Sequence, residues 1–153
     1  MATVEDLDGV IARCQQALRE FVKGNPELMQ GMFSHREDVT LANPIAPPAR
    51  GWDEVARTME RAASNIREGE ITSFEPVARR DTAELAYVVW IERNRGKIGE
   101  SDEIVSFPLR VTMIFRPEDD TWRIVHRHAD TVTVARPPES MIQEDQSEVP
   151  RTP

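Results

Sequence analysis

A single cysteine, Cys14, is all the thiol chemistry in a chain of 153 residues, so an internal disulfide is excluded and a reducing, cytoplasmic setting is expected. No apolar run approaches the roughly 20 residues that span a bilayer. The opening Met-Ala-Thr-Val-Glu-Asp has no basic patch followed by an apolar stretch, so neither membrane nor secretory signal is expected. Basic residues are in deficit, 19 against 27 acidic ones, for a formal net charge of −8. Such a surface repels phosphate backbones and anionic lipid, which removes nucleic acid from the expected partners. Arg79-Arg80 and Arg93-Asn94-Arg95 are short, interrupted basic clusters and read as solvated strand ends or turns. No spacing motif gathers metal ligands, so no metal and no cofactor are expected.

What is present is enough for one domain with its own core. Leu7, Val10, Ile11, Cys14, Leu18 and Phe21 recur at three- and four-residue steps, which predicts an amphipathic helix from Val4 to Val22. Thr3 and Asp6 are placed to cap its start and Gly24 to close it. Asn25-Pro26 opens a short second helix. A brief strand, Val39 to Ala42, precedes Asn43-Pro44-Ile45-Ala46-Pro47-Pro48, where three prolines forbid regular hydrogen bonding. Gly51-Trp52-Asp53 leads a third helix with Val55, Met59, Ala62, Ala63 and Ile66 on one face, ending at Gly69. From Glu70 the period becomes two, which predicts strands at Ile71–Ala78, Ala83–Arg93, Glu103–Phe115 and Trp122–Ala135. The joining segments Arg80-Asp81-Thr82, Asn94-Arg95-Gly96-Lys97 and Pro117-Glu118-Asp119-Asp120 are short, so the last three strands are expected to form an antiparallel meander. Residues 1–135 therefore read as one α+β domain and residues 136–153 as a proline-rich acidic tail. The tail has too little apolar surface to order itself, unless Met141 and Ile142 dock onto a partner subunit.

Leu109-Arg110-Val111-Thr112-Met113-Ile114-Phe115-Arg116, a charged turn, and Trp122-Arg123-Ile124-Val125-His126-Arg127-His128-Ala129-Asp130 resemble the closing hairpin of SnoaL-like and DUF4440-type domains of the NTF2-like superfamily. Gly51-Trp52-Asp53-Glu54-Val55 resembles the way these families enter their third helix. A similar tryptophan-to-histidine strand closes the association domain of calcium/calmodulin-dependent kinases. The resemblance covers about Glu5 to Ala135. It implies a cone-shaped, cystatin-like fold with three N-terminal helices packed on a curved antiparallel sheet. It also implies a conical pocket and a homodimer paired through the sheet. The scaffold hosts isomerases, cyclases, epoxide hydrolases, dehydratases and non-catalytic modules, so function rests on the pocket residues.

His126 and His128 are the main catalytic candidates. Positions i and i+2 of a strand share a face, which puts both imidazoles beside Trp122 and Ile124. On a cavity wall they would suit proton transfer or holding a carboxylate; the alternative is a structural role or a place in a dimer interface. With Glu92 or Asp130 they could also hold a metal, but nothing in the spacing selects those partners.

Asn43 is the third candidate. Asn43-Pro44 falls where ketosteroid isomerases, which share this fold, carry an Asp-Pro whose aspartate is the base. Asparagine cannot take that proton, Val111 stands near the position of that family's carboxylic acid, and Tyr87, the single tyrosine, lies on a strand. Steroid isomerase chemistry is disfavoured, and Asn43 becomes either a hydrogen-bond donor to a ligand or a turn former. Trp52 and Trp90 are candidate aromatic walls, with core packing the competing role for Trp90. Trp122 is expected to plug the base of the cone, Cys14 to be a buried small hydrophobe, and Arg110 to face outward.

Two functions compete. The first is a pocket that binds a small apolar, carbonyl or carboxylate ligand without turning it over. The second is a lyase, isomerase or hydrolase with His126 or His128 moving the proton.

Overall fold

The computed structural model describes residues 6–143. In chain order it runs α1 (Leu7–Phe21), α2 (Glu27–Met32), β1 (Thr40–Ala42), β2 (Ala49–Arg50), α3 (Trp52–Ser64), β3 (Ile66–Asp81), β4 (Ala86–Ile98), β5 (Val105–Ser106), β6 (Leu109–Glu118) and β7 (Thr121–Asp130), with a 3-10 turn at Pro138–Met141. Helices α1 and α2, the short strands β1 and β2, and α3 precede the long strands of a curved sheet, giving an α+β architecture with the three N-terminal helices that the resemblance implied.

Helix α1 forms where the stripe demands it. Asp6 caps it by accepting from the Asp8 amide, and Leu7, Val10, Cys14, Ala17 and Leu18 turn inward. Gly24 ends it at φ +100, a conformation glycine reaches without steric cost. Thr3 and Val4, expected in its first turn, lie outside the described residues. Helix α3 carries Asp53 and Glu54 in its first turn, where negative charge favours the helix dipole.

The third helix ends earlier than the periodicity predicts, at Ser64 rather than Gly69. Asn65 stops it by giving its amide Nδ2 to the Arg61 carbonyl at 2.8 Å. Ile66 and Gly69 then belong to β3. Gly69 passes so close under the end of α1 that an added Cβ would lie 2.0 Å from the Val22 carbonyl oxygen. That crossing sets how near helix and sheet can come.

The sheet runs in the order β2-β1-β7-β6-β4-β3, with β5 paired to β4. Strands β4, β6 and β7 form the expected antiparallel meander. The sheet is nonetheless mixed, because β1 lies parallel to β7, with Thr40 opposite His126. Asn94 to Lys97 is strand rather than turn: β4 continues to Ile98, and the chain reverses at Gly99, φ +61. The predicted strand from Glu103 breaks at Phe107-Pro108, where proline lacks the amide a ladder needs, so β5 and β6 are separate. The last strand stops at Asp130 instead of Ala135. The β6–β7 hairpin turns on Asp119 and Asp120, both at positive φ (49° and 68°), the type I′ geometry whose twist matches that of the strands.

Curvature comes from irregularities. Strand β3 shifts register against β4 between Arg67 and Glu70, Ile71 and Ser73, and Pro76 and Ala78; each bulge bends the strand and increases its twist. A further shift lies between Ile114 and Phe115 of β6. Phe115 pairs with Ile124 and Ile114 with His126, so Val125 of β7 is an extra residue. It sits where the parallel partner of β7 changes. Phe33 bridges Ile124, and the Ser34 amide donates to the Ile124 carbonyl at 2.8 Å; beyond the bulge, β1 takes over from His126 onward.

Past β7, Arg136 Nη2 donates to the Thr131 carbonyl at 2.8 Å, while Met141 and Ile142 are exposed. The acidic tail residues from Glu144 onward lie outside the described residues.

Candidate functional site

Strand β7 carries the chemistry, and its bulge decides which residues face inward. Trp122 and Ile124 are buried, as the two-residue period requires. Val125 then adds one residue, and a one-residue slip moves every following side chain to the other face. After the bulge the inward positions are Arg127 and Ala129. His126 and His128 turn to the convex side and do not join the cavity wall. The shared face with Trp122 and Ile124 inferred from the spacing is therefore corrected.

The cavity, about 300 Å³, opens between the helices and the concave face of the sheet. Helices α1 and α2 supply Leu18, Phe21 and Met29, and α3 supplies Met59 and Ala62. The sheet contributes Leu41, Ile66, Ile98, Leu109 and Ala129, and the proline loop adds Asn43, Pro44 and Ile45. These walls are aliphatic and aromatic because the inward residues of three amphipathic helices and of alternating strands meet there. Thr131 and Asn65 add the remaining polar side chains of the lining, with Asn65 already committed to its helix-capping bond.

Arg127 is the one titratable side chain in that lining. Its Nη2 donates to Glu92 Oε1 at 2.8 Å and Oε2 at 3.1 Å. Glu92 is 1% exposed and sits on β4 in the inward series Trp90, Glu92, Asn94. Among the described residues, Arg127 Nη1 reaches only Met113 Sδ, at 3.6 Å. A charge buried this deeply is tolerated when it is paired and hydrogen-bonded. Cys14 of α1 lies 3.9 Å from the same Met113 sulfur. Burial pushes its thiol up to about 12, an effect that nearby Arg127 opposes and Glu92 reinforces. It is an inert apolar contact, as its position on the stripe predicted. On the same face of β4, the buried Trp90 Nε1 and Asn94 Oδ1 have no hydrogen-bond partner among the described residues.

Of the predicted ligand-binding residues, Asn43 lines the cavity. Its Oδ1 accepts from the Ile45 amide at 3.2 Å, the Asx turn weighed above, which leaves the Nδ2 donors. Trp90 is core, packed edge-on against Phe74 with ring centroids 5.3 Å apart. Trp52 stacks on His35 at 3.7 Å, outside the cavity lining, because the loop after α2 folds back over the start of α3. Trp122 is buried near the β6–β7 turn. The convex face holds the histidines. Thr40 Oγ1 and His126 Nδ1 share a 2.7 Å hydrogen bond, and His128 Nε2 lies 3.3 Å from Asp130 Oδ2. Burial, then the neighbouring His128, lower the His126 pKa below its usual value. Burial opposes ionisation of Asp130, yet hydrogen bonds from Arg110 and the Val132 amide outweigh it and hold that carboxyl low. Among the described residues, no three His, Cys, Asp or Glu side chains gather as a metal site, and no helix is long and apolar enough to cross a membrane.

Arg127 and Glu92 escaped the sequence reading as a ligand-facing pair. The signal that could have found them is a clash of parity within β7: Trp122 and Ile124 demand even positions inward, whereas the small apolar Ala129 demands odd ones. Both hold only if the strand contains an extra residue between them.

A cavity between helices and the concave face of a curved sheet is an arrangement of the NTF2-like fold. The chain belongs to the SnoaL-like domain family, whose model matches residues 10–133. Its structural relatives are distant. An NTF2-like superfamily protein from Salmonella enterica serovar Typhimurium aligns with a TM-score of 0.71 at 15% identity, covering 87% of this chain and 93% of the other. A candidate dehydratase of the NTF2-like family from Streptomyces avermitilis gives 0.67 at 20%, covering 86% and 96%. A ketosteroid isomerase-like protein from Erwinia carotovora atroseptica gives 0.68 at 13%, covering 83% and 94%. At such identities the likeness carries the fold alone. No curated protein matches the chain.

Proposed function

We propose that this chain binds a small, mostly apolar molecule in the cone and holds one polar atom of it at Arg127. The carrying observation is a cavity of about 300 Å³ whose walls are apolar except for one guanidinium and a few neutral polar groups. This volume is at the lower end of the roughly 300–1,000 Å³ typical of small-molecule sites, where apolar walls supply affinity and a few polar groups fix orientation. Each Å² of apolar ligand surface removed from water contributes about 25 cal/mol. Asn43 Nδ2 offers a second donor at the proline loop.

Turnover by a lyase, isomerase or hydrolase is the weaker reading. Its proton-transfer groups were to be His126 and His128, and these face away from the cavity. The candidate dehydratase and the ketosteroid isomerase-like protein support a ligand pocket on this scaffold, without passing their reactions to this chain.

The test is a titration with 2-acetonaphthone, an apolar ketone, read by NMR on the ε-methyl groups of Met29 and Met59. Both signals are expected to shift together and saturate, and Leu18→Trp, which fills the cavity, should abolish the response. Methyl signals that stay unmoved up to the solubility limit of the ketone would end the proposal.

A further inference from the structure

The cavity offers a cation, and the simplest expectation from that cation is an anionic ligand. The surroundings of Arg127 argue otherwise. Glu92 already places a carboxylate on Nη2, with both oxygens within 3.1 Å. Cys14, held as a neutral thiol by burial, adds no charge, and neither does Met113. The local sum is therefore one cation and one anion, both out of water: Arg127 has 11% of its side chain exposed and Glu92 1%.

A second carboxylate approaching the remaining donors at Nη1 would meet Glu92 within a few ångströms, in a medium that screens charge far less than water does. Repulsion from Glu92 would cancel most of the attraction to Arg127. The dehydration penalty of the incoming anion would then stand unrepaid. A neutral carbonyl loses little hydration and still accepts a hydrogen bond from a charged donor, the stronger kind. The overall charge of −8 works in the same direction.

We propose that Glu92, which is not itself part of the cavity wall, sets the ligand charge: by occupying Arg127 it makes the cavity select an uncharged carbonyl on an apolar skeleton over the matching carboxylate. This deepens, and rests on, the small-molecule reading above. Glu92 acts as a positioning and specificity residue through Arg127, without touching the ligand.

The experiment compares three probes on one skeleton, 2-acetonaphthone, 2-naphthoate and 2-ethylnaphthalene, by calorimetry and methyl NMR at pH 7.5. The folded wild type should bind the ketone about tenfold or more tighter than the acid, the scale of difference expected when one buried charge is compensated and a second is not. In Glu92→Gln, which keeps the shape and an acceptor for Nη2 but removes the charge, the ratio should fall to about one or invert. A structural role for Glu92 would weaken all three probes together and leave the ratio unchanged. The double variant Glu92→Met/Arg127→Met, designed to keep the packing, should bind ketone and hydrocarbon equally. A wild type that prefers the naphthoate overturns the charge assignment while leaving the pocket reading intact. A wild type that binds none of the three overturns both.

Discussion

The two faces of β7 carry similar side chains in opposite circumstances. On the concave face Arg127 meets Glu92 beneath an apolar cavity. On the convex face Arg110 meets Asp130 at 2.6 Å, with half of the arginine side chain in solvent. The chemistry is the same and the geometry equally good. Exposure alone separates a group that can define a binding site from one that decorates a surface, and a single extra residue, Val125, assigns β7 its sides. An ion pair in water gains little, because solvent screens it and its long side chains lose entropy. A buried pair has given up hydration, so each partner depends on the other.

That comparison is broken most directly by inserting one alanine between Ile114 and Phe115 of β6, opposite Val125. With a partner of its own, Val125 is no longer extra, so His126 and His128 are directed inward, Arg127 and Ala129 outward, and the buried ion pair is lost. The expected cost exceeds the roughly 3–5 kcal/mol of breaking a buried pair, because the parallel ladder to β1 shifts as well. Circular dichroism melting measures it, and an insertion variant that melts like the wild type would refute the register argument.

The next effect comes from Arg127→Met, which leaves Glu92 buried without its partner. It should lose about 3–5 kcal/mol in urea unfolding, whereas the matched Arg110→Met on the convex face should change stability by less than about 1 kcal/mol. Equal losses from the two variants would mean that burial does not divide the faces as described.

The smallest effect sharpens the picture of the interior. The Cys14 thiol is raised from 9.0 to about 12 when folded, so the folded state favours its protonated form. The stability this contributes is complete below pH 9, where both states keep the proton. It declines as the pH rises from 9 towards 12, because the unfolded thiol ionises first. The slope is about 1.4 kcal/mol per pH unit. Cys14→Ala should lack that part of the alkaline decline, so wild-type and variant stability curves should converge or cross between pH 9 and 11. Parallel curves would place the thiol in contact with water.

The fold was legible because its elements announce themselves locally. The α1 stripe, Gly24 and the proline loop each follow from the physics of single residues, and the meander follows from short turns; the expected Asn25 cap of α2 does not form, since Pro26 stands at the cap and the Asn25 side chain donates to Glu20. Pro108 is a local signal of the same kind, and it divides the strand expected from Glu103 to Phe115. The candidate site was harder to read, because it depends on parity along one strand. Val125 is a β-branched residue like any other strand residue, with no glycine or proline to mark the bulge. What stabilises the bulge is tertiary: Phe33 and Ser34 claim Ile124 on one side, and β1 claims His126 on the other. Asn43 was found because its loop is local; Arg127 and Glu92 were missed because their meeting depends on two strands and a bulge.

Strand β3, bent by its three bulges, has a consequence beyond the cavity. It is the outer strand of the sheet at one edge, and sixteen residues of open backbone would ordinarily invite a neighbouring molecule to add a strand and begin a fibre. Here the edge is crooked, interrupted by Pro76 and studded with charge from Glu68 to Asp81, so it offers an incoming chain no straight, uncharged ladder to copy. Growth by strand addition at this edge is disfavoured.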